Sequence, residues 1–364
     1  MRLISTYWPF YGSPDVSCDI AGFEVFSARY IEQLEPTDIF HIHDCYELTY
    51  VKSWFSNIET HKPRAIINDH WTLPHKILPD IEYYSIPAFA AKMSKSFRNC
   101  MMKNSFVTNH AANIMVNRFA MNRWAALKFA DIWNINYDYT YSGSHRQVDL
   151  SAWLDKLTPE FLGSNFTQEH RSYCLAELGN PTKWINNANQ RQEFDNNQYF
   201  ISYQWYGGNF WTWHHGLNDL FGGSAVSLIT ESSDYMPALV YTEKTIYAIV
   251  GLTMPIWVGH PYAAEHWKRY GFDTFDDVID HSYQWEVDPL KRYWLAFERN
   301  AAILQNLELA RDIRNSMSAR LLRNRELLLS GQLELISKRE IDTWPADIAH
   351  ICRPVMADRF DLDL

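Results

Sequence analysis

Through the first hundred residues, short apolar runs alternate with stretches whose apolar side chains recur every three to four positions. "RLIST" (Arg2 to Thr6), "DIFHIH" (Asp38 to His43), "RAIIND" (Arg64 to Asp69) and "IEYYSIP" (Ile81 to Pro87) predict strands. Between the first two, "AGFEVFSARYIEQL" has helix-like apolar spacing, and "LTYVKSWFSNIE" has it between the next two. Strand and helix signals in alternation predict a parallel sheet covered by helices.

A second unit of this kind begins near residue 104, after the polar stretch "AKMSKSFRNCMMKNS". "SFVTNHAANIMVN" starts as a strand, "RWAALKFADIWN" (Arg123 to Asn134) is a helix, and "AVSLITE" (Ala225 to Glu231) is a buried strand. In "TEKTIYAIVG", Ile246, Ile249 and Val250 supply a helical face, Thr242 is placed to cap its start and Gly251 its end. "MPIWVG" then reads as the next strand, and from about Leu290 onward only helical pattern remains. The expected organisation is an α/β chain with an N-terminal lobe (1–103), a second lobe (104–300) and a C-terminal helical segment (301–364).

Composition narrows this picture. The chain has 364 residues, enough for two cores, and 47% hydrophobic with 21% charged residues is a globular balance. Its net charge of −10 raises no expectation of a broad nucleic-acid face. The five cysteines are widely spaced without a C-x-x-C pair, which predicts neither a disulfide framework nor a zinc cage and fits a reducing compartment. The N-terminal apolar run is too short for a signal peptide. The longest one, Ile246 to Val258, falls short of the roughly 20 residues of a membrane span. A cytoplasmic protein is therefore expected.

Glu243 and Lys244 lie side by side in the first turn of the helix after Thr242. A helix N-terminus following a strand presents unpaired N–H groups and a positive dipole end, so Glu is favoured there and Lys is not, unless an anion binds. The surrounding "ITESSDYMPALVYTEKTIYAIVGLTMPIWVG" resembles the donor-site signature of the α1,3-fucosyltransferases and their phage and bacterial relatives. Glu231, Ser232, Ser233, Tyr241, Thr242, Glu243, Lys244, Pro255 and Gly259 carry the match, and the segment Tyr270 to Tyr293 extends it. The resemblance implies a GT-B architecture of two Rossmann-like lobes and inverting transfer of a sugar from a nucleoside diphosphate. No cofactor is implied besides that nucleotide-sugar co-substrate. It further implies that Glu243 accepts the ribose hydroxyls, that Lys244 neutralises the diphosphate, and that Glu231 sits near the sugar or ribose. An upstream match, "FVTNHAANIMVNRFAMNRWAALKFADIWNINYDYTYSG", makes Arg123 the candidate diphosphate contact, with Arg118 its competitor.

Inverting transfer needs a base for the acceptor hydroxyl. Asp69, beside His70, is the first candidate and Asp44, beside His43, the second, each just past a strand of the N-terminal lobe. A metal at His41, His43, His70 and Asp69 is the less favoured alternative to ordinary polar strand ends, and transfer without a metal is expected, with Lys244 and an Arg doing the charge work. "STYWPFYG" and "YQWYGGNFWTWHHG" are aromatic loops suited to stacking on a sugar or base. The arginines from Arg311 to Arg325 read as a solvated helix face, with a phosphate-binding face as the alternative. For the acceptor, the resemblance to phage relatives implies a glycan or a hydroxymethylated DNA base. The competing class is a non-catalytic nucleotide- or glycan-binding module.

Overall fold

The structure is a computed structural model that describes residues 2–5, 17–20, 23–27, 34–42, 58, 60–68, 71–72, 81–98, 104–116, 121–141, 151–178, 218–231, 239–240, 242–259 and 261–360. The chain divides into two compact units. One comprises Met1–Lys95, Tyr235–Glu243 and Leu328–Leu364; the other comprises Ser96–Asp234 and Lys244–Leu327. Among the described residues no helix is long and apolar enough to cross a membrane.

The first unit is built on β1 (Leu3–Ser5), β2 (Ser17–Ile20), β3 (Phe23–Ser27), β4 (Ile39–Ile42), β5 (Ala65–Asn68), β6 (Trp71–Thr72) and β7 (Glu82–Ser85). Its six-stranded sheet runs β2-β3-β1-β4-β5-β7, parallel except where β2 pairs antiparallel with β3. The first strand thus lies inside the sheet, with β3 on one side and β4 on the other. That doubly wound order reverses direction between β1 and β4. Ile4, Ile39, Phe40, Ile66 and Ile67 are all but inaccessible, as parallel strands covered on both faces require. Within the same unit Tyr84 packs on Trp344 with ring centroids 5.1 Å apart, and Arg64 pairs with Asp347.

Two sequence expectations change here. The stretch with helical spacing after residue 20 contains β3, paired residue for residue with β1 through Leu3↔Val25 and Ile4↔Phe26. Its aromatic and β-branched residues suit a pleated surface, and tertiary pairing overrides the local period. Of "LTYVKSWFSNIE", only Ile58 is described, and it is helical; the rest of that expected helix lies outside the described residues.

The second unit contains β8 (His110–Val116), β9 (Tyr137–Tyr141), β10 (Ser224–Ile229) and β12 (Met254–Trp257), while β11 (Leu239–Val240) pairs antiparallel with β6 in the first unit. Its sheet is wholly parallel in the order β12-β10-β8-β9. Residues 224–229 and 254–257 are buried throughout, the continuous pattern of parallel strands covered on both faces. The strand in "SFVTNHAANIMVN" starts at His110 rather than at its first residue. From β8 the chain passes through the helix Met121–Ile132 to β9. From β10 it passes through the helix Glu243–Val250 to β12 on the opposite side. The winding therefore reverses between β8 and β10, and the starts of both helices lie at the carboxyl edge of the sheet.

The helix Pro289–Arg299 packs on Met121–Ile132 through Trp294, whose ring meets Phe129 at 5.1 Å and Phe166 at 5.2 Å, both edge-on. The end of the Glu243–Val250 helix differs in detail from the sequence reading. Leu252, not Gly251, takes the left-handed conformation (φ 59°), and its N–H and that of Thr253 bond back to Ile249 and Ala248 in a Schellman closure. Gly251 is required for another reason: a Cβ there would lie 2.3 Å from the Phe221 side chain.

Candidate functional site

The carboxyl edge of the second sheet holds a concentration of buried charge. Arg123 (4% exposed) stands in the first turn of the helix after β8, and Glu231 (2%) follows β10. Glu243 (7%) and Lys244 (1%) open the helix before β12, behind Thr242. None of these five residues lacks a partner. Parallel βα units put them there: the strands end and the helices begin at the same edge, so residues distant in sequence share it.

Two hydrogen-bond links fix this edge. Thr230 Oγ1 donates to the Met115 carbonyl at 2.9 Å, joining the ends of β10 and β8 where the winding reverses. Thr245 Oγ1 donates to Glu231 Oε1 at 2.8 Å and accepts from Trp257 Nε1 at 3.1 Å. Trp257 reaches Thr245 because β12 pairs with β10 in the register Ile229↔Trp257. The three-residue relay is buried and holds the Glu231 carboxylate in one orientation. In low dielectric each of its bonds strengthens the next. Thr245 and Trp257 belong to this candidate edge, and sequence reasoning passed them over; the signal was an indole at the strand end just ahead of Val258-Gly259.

Beyond Trp257 the edge continues into a cavity of about 670 Å³ that is lined in part by Tyr262, Asp280, His281 and Trp285. The Trp257 ring lies 5.6 Å from that of His281. His281 Nε2 hydrogen-bonds the Thr274 carbonyl at 2.9 Å, which makes Nε2 the protonated nitrogen. Burial pushes its pKa down to about 4, so the ring is neutral at pH 7. The loop before it is clamped by Arg320, whose guanidinium binds both carboxylate oxygens of Asp273 and of Asp277 at 2.5 to 2.8 Å. Burial raises the Asp273 pKa most strongly, but the Arg320 hydrogen bonds, the Phe275 N–H and the Arg320 charge together outweigh it and hold the carboxyl below its ordinary value.

Four arginines of the stretch, Arg311, Arg314, Arg320 and Arg325, serve this architecture. Arg314, fully buried, donates to the carbonyls of Leu252 (3.0 Å), Gly222 (2.8 Å) and Gly251 (3.3 Å). It thereby closes the carboxyl ends of two helices, where a cation complements the dipole. Arg311 donates to the Thr108 carbonyl and Glu308, and Arg325 to Asn104. The solvated face expected from the sequence is likewise replaced, at these positions and at Arg320, by internal clamps.

On the first sheet, Ser5 ends β1 opposite His41 of β4 at the reversal point, and Ser5 Oγ lies 3.0 Å from His41 Nδ1, both side chains buried. Of the proposed bases and the alternative metal set, Asp44, Asp69, His43 and His70 lie outside the described residues. So do Arg118, Tyr241, Ser232 and Ser233, and nearly all of the two aromatic loops. Among the described residues no group of three or more His, Cys, Asp or Glu side chains is arranged to hold a metal ion. The chain matches no family model, no curated protein and no solved structure.

Proposed function

We propose that the chain is an inverting glycosyltransferase of GT-B type that moves a sugar from a nucleoside diphosphate to a hydroxyl acceptor without a metal ion. The observation that carries this reading is the set of buried charges at the carboxyl edge of the second sheet. Burying Arg123, Glu231, Glu243 and Lys244 costs several kcal/mol of desolvation per ion, which a purely structural edge would avoid with apolar residues. Cations at two helix starts suit a diphosphate, which would offset the unfavourable placement of Lys244 and take up the charge of the leaving group. Glu243 supplies acceptors for ribose hydroxyls, and Glu231, held by Thr245, supplies a fixed carboxylate nearer the sugar. In this reading an N-terminal carboxylate, Asp69 or Asp44, takes the proton of the acceptor hydroxyl.

The test has two stages. Guanosine, uridine, adenosine and cytidine diphosphates are titrated by calorimetry to find the base, and release of that diphosphate from its sugar conjugates is then followed with glycan and hydroxymethylated-DNA acceptors. Binding of one diphosphate with acceptor-dependent release supports the transferase. Binding with no turnover from any donor leaves the non-catalytic module in its place, and absence of diphosphate binding removes both.

A further inference from the structure

The cavity beyond Trp257 has a size typical of small-molecule sites, about 300–1,000 Å³. Its wall combines an aromatic platform with carboxylates. Trp285 is 62% exposed, an unusual state for so large a ring, and the Tyr262 ring braces it edge-on at 4.7 Å and 75°. Tyr262 holds that position with a left-handed backbone (φ 63°, ψ 9°), a conformation that disfavours any residue with a Cβ. The platform is further fixed by Gln284, which accepts from the Ala264 N–H at 3.0 Å and so ties the turn Ser282–Trp285 to the helix Ala263–Arg269.

The carboxylates decide what can bind. Asp276 pairs with Lys268, Asp277 with Arg320 and Glu265 with Arg269, so most of the charge is already compensated. Among the described residues Asp280 makes no ion pair, and its Oδ1 accepts from the Ser282 N–H at 2.8 Å. Such a lining offers no net positive charge to a phosphate and little net negative charge to a polycation. It offers hydrogen-bond acceptors beside a flat apolar face, the pairing that suits vicinal hydroxyls on one side of a ring and C–H groups on the other.

We propose that this cavity binds a neutral saccharide ring, with Trp285 stacked on its C–H face and Asp280 accepting from its hydroxyls. Two sources share that chemistry: the sugar of the nucleotide donor and a glycan acceptor. Assigning either source rests on the transferase reading above; saccharide binding itself does not.

The test uses the full-length chain, its Trp285→Ala and Asp280→Asn variants, and three groups of probes: nucleoside diphosphates alone, GDP-fucose and UDP-glucose, and the oligosaccharides chitotriose, maltotriose and N-acetyllactosamine. Binding is read by calorimetry and by saturation-transfer NMR. Because Trp285 is exposed, its removal leaves the fold intact, which an unchanged thermal transition verifies. A roughly tenfold loss of nucleotide-sugar affinity in both variants, with diphosphate affinity unchanged, assigns the cavity to the donor sugar. The same loss confined to an oligosaccharide assigns it to the acceptor. Wild-type affinities for every saccharide-bearing probe in both variants, or no binding of any such probe by the wild type, overturns the proposal. Oligosaccharide binding that depends on Trp285, without any nucleotide binding, upholds the cavity's role and removes the transferase reading instead.

Discussion

Replacing Thr245 by Val tests whether the relay at the sheet edge is an energetic centre or an incidental contact. Valine keeps the branched shape and removes the hydroxyl. Two bonds go with it: the one donated to Glu231 at 2.8 Å and the one accepted from Trp257 at 3.1 Å. Hydrogen bonds to charged groups contribute about 1.5–3 kcal/mol, and a buried indole N–H left without an acceptor costs about 1 kcal/mol, so the loss should be about 2.5–4 kcal/mol. For a unit of roughly 220 residues each kcal/mol lowers the melting temperature by about 2–4 °C, which predicts a fall of about 5–16 °C. Urea unfolding monitored by tryptophan fluorescence measures the free energy directly. Thr245→Ser is the control: it keeps the hydroxyl and should cost only about 1 kcal/mol for the lost methyl. If the two variants were equally stable, the relay would contribute nothing beyond packing and the orientation assigned to Glu231 would have no support.

Further predictions concern charge. Lys244→Met, close in volume, should weaken binding of the preferred nucleoside diphosphate by about 10- to 150-fold in calorimetry, the equivalent of one charge-assisted contact; unaltered affinity would refute the role of Lys244. Asp69→Asn should leave that affinity intact and lower transfer by about 10²- to 10⁴-fold, whereas an unchanged rate would move the base elsewhere. Arg320→Ala should flatten the acid limb of the stability profile. Asp273 and Asp277 have lowered pKa values in the folded state, so their contribution is complete above the ordinary carboxylate pKa and is lost as pH falls through the folded values. His281 acts in a higher window. Its folded pKa of about 4 lies below the ordinary 6.5, so the unfolded chain takes up a proton first and stability should fall by up to about 3 kcal/mol between pH 6.5 and 4. His281→Asn should remove that slope in pH-dependent urea titrations.

Much of both sheets was legible because their strands are buried on both faces and therefore read as unbroken apolar runs, as in "AVSLITE" and "RAIIND". β3 was not, since Phe23 and Phe26 satisfy a helical spacing as well as a strand composition, and only the pairing with β1 decides between them. At the site, Glu231, Glu243 and Lys244 could be singled out from their neighbours along the chain. Thr245 and Trp257 could not, because their bond depends on the register between β10 and β12. The same limit applies to Arg314. A cation on a helix looks solvated until the carbonyls of residues 222, 251 and 252, far away in sequence, are brought to it by the fold.

The order of synthesis inherits a constraint from that arginine. Two helices that emerge from the ribosome early keep open ends until the codon for residue 314 has been read. The first unit waits longer still, for Trp344 and Asp347 to meet partners made some 260 to 280 residues before. A premature stop between residues 300 and 313 would therefore leave both units incomplete, and such a product should be cleared by proteases rather than accumulate as a working fragment.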